Sequence, residues 1–110
     1  MINSACLIVS KPLGVELSAL GIRTAWACHQ NGFECKLVFS EEGVWCLTEN
    51  PGYHTSMIND FIGEDGEVVC IREDLEKRGI DEDALVDGVE VIDAEEVAEM
   101  CEDFETVNYF

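Results

Sequence analysis

A chain of 110 residues with 47% hydrophobic content can bury one modest core, which sets the expectation of a single domain over residues 1–110. Its 24 acidic and 6 basic side chains give a formal charge of −18, which argues against nucleic acid and anionic lipid as direct partners, because both need clustered Lys and Arg. The charge is uneven: residues 1–63 carry six acids and three bases (−3), and residues 64–110 carry eighteen acids and three bases (−15). An acidic half of this kind is either a solvated surface or a docking face for a cationic protein.

In chain order, "MINSACLIVSK" lacks the basic n-region of a secretory signal. No apolar stretch approaches the roughly 18 residues that a membrane-spanning helix needs, so the expected location is the cytoplasm. Within that opening, "ACLIVS" (5–10) reads as a first strand. "SKPLGVELSALG" follows it with neither G-x-G-x-x-G nor G-x-x-x-x-G-K-[ST], which argues against a nucleotide or flavin site. "ELSALGIRTAWACHQ" (16–30) reads as a helix stopped by Asn31-Gly32. Leu17, Leu20, Thr24 and Cys28 form a stripe expected to face a sheet, and Ile22, Trp26 and His29 form a second stripe, either ordinary packing or a subunit contact.

"CKLVF" (35–39) is the second expected strand, followed by the turn-rich "EEGVWCLTENPGYH" with Gly43, Asn50, Pro51 and Gly52. "HTSMINDFIG" (54–63) reads as a helix, "EVVCI" (67–71) as a strand, "REDLEKRG" as a short helix ending at Gly79, and "VEVI" (89–92) as a strand. "AEEVAEMCEDF" (94–104) is a last helix with Asp93 as N-cap and Glu96 three residues on; its inward face is Ala94, Val97, Ala98, Cys101 and Phe104. "TVNYF" (106–110) closes as a strand. Strands and helices alternate, and several strands are apolar at consecutive positions. The expected fold is therefore α/β in three layers, with a mostly parallel sheet of about five strands covered on both faces.

The six cysteines never form C-x-x-C, and His29 and His54 are not placed to complete a zinc motif, so no metal is expected. Cys6 and Cys35 lie within strands and Cys28 and Cys101 on inward helix faces, all readings of core. Cys46 falls in the turn-rich segment. Cys70 stands near the carboxyl end of a strand, the edge where ligands gather in open α/β sheets. A following helix N-terminus and Arg72 favour its thiolate, while Glu73 and Asp74 oppose it; the helix contributes about 0.3–1 kcal/mol, which one carboxylate can cancel. The bland alternative for Cys70 is a buried strand cysteine, and for His54 an exposed turn histidine.

Three segments resemble one family. "GIRTAWACHQNGFECKLVFSEEGVWCL", "VVCIREDLEKRGI" and the closing "VNYF" are similar, in order and spacing, to the DsrE/DsrF-like sulfur-relay proteins, including the TusC and TusD types. The resemblance implies a flavodoxin-like subunit that assembles into homomeric or mixed trimers or hexamers, needs no cofactor, and works with sulfur donor and acceptor proteins. It places the persulfide-carrying cysteine at Cys70 and makes the chain a possible sulfurtransferase; Arg72, by its nearness in sequence, and Cys46, by its place in the turn-rich segment, are the candidate supporting residues. Some subunits of the family serve assembly, which makes a non-catalytic role with an acidic docking surface the alternative. "IREDLEK" is more charged than the corresponding stretch of TusD-type subunits. A disulfide between Cys46 and Cys70 is a further reading that depends on their separation.

Overall fold

In a computed structural model, which describes residues 3–12, 14–48 and 52–110, the expected strands all form. They are β1 (Ser4–Val9), β2 (Glu34–Phe39), β3 (Glu67–Ile71), β4 (Val89–Ile92) and β5 (Thr106–Tyr109). The four main helices are α1 (Glu16–Gln30), α2 (Tyr53–Gly63), α3 (Arg72–Lys77) and α4 (Ala94–Glu102). The turn-rich segment holds a 3-10 helix, Glu41–Leu47; Asn50 and Pro51 lie outside the described residues. α1 stops where the sequence signals it, with Gly32 at φ +81°, a left-handed conformation that costs glycine little.

The sheet runs β4-β3-β2-β1-β5, and every neighbouring pair is parallel. The first three crossovers step the same way along the sheet, so right-handed connections put α1, α2 and α3 on one face. The last crossover returns from β4 to β5 and puts α4 on the other. β1 is buried at all six positions because it lies between these layers. Ala5, Leu7, Val9, Leu37, Phe39, Val68 and Cys70 pack under the first three helices. Cys6, Ile8, Val38 and Val69 pack with Val97 of α4, backed by Met100 and Phe104.

The orientation of α1 differs from the expectation. Its buried face is Ser18, Ala19, Gly21, Ile22 and Ala25, while Leu17 and Leu20 are 45% and 43% exposed. Close approach to the sheet is the reason. A Cβ at Gly21 would stand 2.7 Å from Val9 Cγ2 and 3.1 Å from Phe110 Cγ, so the helix rests on its small residues, and the large leucines are turned aside. Cys28 is only half-buried, at the margin of the first core. The Trp26 and His29 rings lie 6.2 and 5.4 Å from that of Phe61, so the second stripe packs on α2 within the chain.

α4 is held more loosely than its sequence suggests. Val97 is its one buried residue, Cys101 and Phe104 are half-buried, and Ala94 and Ala98 are exposed. Asp93 precedes the helix in extended conformation, yet its side chain makes no cap bond. The capping is done from elsewhere in the chain, as described below.

Candidate functional site at the carboxyl edge of the sheet

Period-two alternation along β3 sends Val68 and Cys70 toward α1–α3 and Val69 and Ile71 toward α4. Cys70 therefore points into the larger core, where it is 0% exposed. Its thiol is pushed up to about 12, first by burial and then by the charge of Glu82, with Asp74 adding and Arg72 opposing. A thiol in that state is neutral at any physiological pH, whereas an exchange nucleophile must be both ionised and reachable. Of the two readings of Cys70, the structure has the buried strand cysteine: the strand position is at the edge, but the side chain faces inward.

Arg72 is engaged away from the thiol. Its guanidinium pairs with the Asp93 carboxylate and donates to the Val91 carbonyl at 3.1 Å, which ties the end of β3 to the end of β4. Glu73 does not face Cys70 either. Its carboxylate accepts the backbone N–H of Ala94 at 3.0 Å, filling the cap position that Asp93 leaves open. Cys46 is also fully buried, on the same side of the sheet; its thiol lies 3.6 Å from the Lys11 carbonyl, and burial raises it to about 11.

The sequence did not single out Ser18, which the fold brings to His54. Ser18 Oγ lies 2.6 Å from the Val15 carbonyl and 2.9 Å from His54 Nε2, and the side chain is sealed from solvent. Ser18 Oγ also lies 3.1 Å from the Pro12 carbonyl, so its one proton has two acceptor-only oxygens beside it, an arrangement that favours the Nε2–H tautomer of His54. The pair braces α1 against α2. Burial, and then the charge of Arg23, lower the His54 pKa. A serine three positions into a helix carries no distinctive sequence signal.

A model of the DsrH-like protein family matches residues 27–107. The chain belongs to the DsrH-like family. This supports the resemblance to DsrE/DsrF-like sulfur-relay proteins, of which the DsrH-like chains are part. The fold agrees: the ychN protein from E. coli superposes with a TM-score of 0.86 at 21% identity, over all of both chains. A protein of unknown function from Methanobacterium thermoautotrophicum, MTH1491, gives 0.77 at 17% identity, covering 96% of this chain and 98% of that one. No curated protein matches in sequence.

In this DsrH-like chain the motif residues of the resemblance have structural employment. Gly43, of "EEGV", lies so close to β1 that a Cβ would be 2.0 Å from the Val9 carbonyl oxygen. In "LEKRG", Leu75 is buried, and Gly79 turns the chain at φ +64°. Arg78 donates through Nε to Glu42 at 2.8 Å and through Nη1 to the Asp74 carbonyl at 3.0 Å. Asp74 in turn accepts the Glu41 N–H at 2.8 Å, so α3 is latched onto the 3-10 helix and covers the Cys70 region from above. Among the described residues no helix is long and apolar enough to cross a membrane.

Proposed function

We propose that this chain is an assembly subunit of a sulfur-relay oligomer, presenting an acidic surface to a partner, and that it does not carry sulfur on Cys70. The observation behind this reading is the sealed, neutral Cys70 thiol, 0% exposed and raised to about 12. Persulfide transfer needs the sulfur reachable twice, once by a donor and once by an acceptor. Two further features support assembly. Leu17 and Leu20 put apolar surface outside on α1, and Tyr109 does so at 74% exposure on β5, the open edge strand beside β1. Exposed acids, among them Glu82, Asp83, Asp87 and Glu90, crowd the β3–β4 region and suit a cationic partner.

The experiment is persulfide labelling of the native protein, read by mass under reducing control, with single Cys→Ser variants. No gain of sulfur at Cys70 is the expected result. A gain of one sulfur atom on Cys70 that disappears in Cys70→Ser would overturn the reading and restore the carrier role, which the edge position of residue 70 otherwise favours.

A further inference from the structure

Among the described residues α4 is the single helix over the second face of the sheet, and between them lies a cleft of about 380 Å³. Its lining is mostly apolar, with Ile8, Val38 and Ile71 from the sheet and Val97 from the helix, and Cys101 on its wall. Cys101 is half-buried on the last turn of α4. Facing it is Cys6, in the middle of β1 and fully buried, with the two sulfurs 3.2 Å apart. A disulfide has a bond of roughly 2.05 Å, so closure asks for a shift of about 1 Å, small for a helix held by one buried side chain.

We propose that Cys6 and Cys101 are a modification site, a thiol pair that a low-molecular-weight disulfide converts to an intrachain disulfide, fixing α4 to β1. The order of attack follows from access. Cys101, beside the cleft, attacks the small disulfide, forming one S–S bond and releasing one small thiol. Cys6 then attacks the Cys101 sulfur; the mixed bond breaks, the Cys6–Cys101 bond forms, and the Cys6 proton leaves with the second small thiol. Two protein thiols are oxidised and one small disulfide is reduced to two thiols. Burial, with the Cys101 sulfur beside it, holds the Cys6 thiol up at about 12, so its thiolate is scarce and this second step is the slow one. It proceeds because the sulfur under attack is already held against Cys6, whereas Cys70 would have to be reached from outside the chain. The cross-link joins residues 95 apart in sequence, and a link across a long loop restricts the unfolded chain more than one across a short loop.

The test is incubation of the full chain with oxidised glutathione, followed by intact mass and tryptic mapping. Because Lys11 precedes proline, trypsin releases residues 1–23 with Cys6 as their one cysteine and residues 79–110 with Cys101 as theirs. The expected product has lost two hydrogens, links these two peptides, and melts roughly 10 °C higher. Cys6→Ala should stop at a glutathione adduct on Cys101, and Cys101→Ala should stay unmodified at Cys6. Full reduction, a link between other cysteines, or a stable wild-type glutathione adduct would each overturn the proposal. The wild-type peptide map decides even where a variant fails to fold.

Discussion

The carboxylate of Glu73, in the first turn of α3, accepts the backbone N–H of Ala94, the first residue of α4, at 3.0 Å. A side chain from under one face of the sheet thus caps the helix on the other, while the nominal cap, Asp93, is held by Arg72. Glu73→Ala should lower unfolding free energy by about 1 kcal/mol, the usual cost of a lost N-cap, and speed hydrogen exchange in the first turn of α4. Asp93→Asn should leave that amide protected. Urea unfolding and amide exchange check both.

Gly43→Ala should be among the most damaging single changes. The added methyl would meet the Val9 carbonyl oxygen at 2.0 Å, a backbone atom that moves only with β1. The expected loss is at least about 3 kcal/mol. Gly63→Ala, at the end of α2 with nothing within 4 Å, is the control and should change stability by less than about 1 kcal/mol. Denaturant midpoints of the two variants make the comparison.

Stability should fall as pH rises above 9. The thiols of Cys70 and Cys6 are raised from 9.0 to about 12 in the folded chain, and those of Cys35 and Cys46 to about 11. Between the unfolded and folded values the folded state binds more protons, so each thiol's contribution is whole below pH 9 and is lost on the way up. The slope is about 1.4 kcal/mol per pH unit for each such thiol. Cys70→Ala should flatten the slope by one thiol's share, measured by unfolding at a series of alkaline pH values.

His54 acts at the other end of the scale. Its folded pKa lies below the ordinary 6.5, so the unfolded chain takes up a proton first as pH falls through that value. Stability should decline there, and His54→Gln should remove that part of the decline. Unfolding between pH 7 and 5, with both proteins in the same buffer series, reads the difference.

Leu17→Glu with Leu20→Glu should leave the fold intact, because both side chains already face outward, and should shift the protein to a smaller assembly in light scattering. Unfolding caused by the pair would mean that the stripe is packed inside after all. Unchanged mass would remove α1 from the subunit contact.

Much of this molecule was legible in its sequence, and for local reasons. The bounds of β3, β4 and α1 follow from short apolar runs and from stop signals such as Asn31-Gly32, where backbone preference and hydrophobic spacing act within a few residues. Consecutive apolar residues in "ACLIV" announced a sheet covered on both faces, and β1 is buried at all six positions. What sequence spacing misjudged was the inward side of α1. It weighted Leu17 and Leu20 by hydrophobicity, whereas contact with Val9 and Phe110 selects the small side chains around Gly21.

Six cysteines, an acidic second half and an alternating α/β pattern were fixed by the residues alone. Which sulfur faces water was decided only in three dimensions, because a strand sends neighbouring side chains to opposite faces and the layers above each face come from distant parts of the chain. So Cys70 is sealed beneath helices that the sequence placed beside it, and Cys6 meets Cys101 from 95 positions away. Burial and pairing of a thiol are properties of the assembled layers, and no stretch of residues around the cysteine contains them.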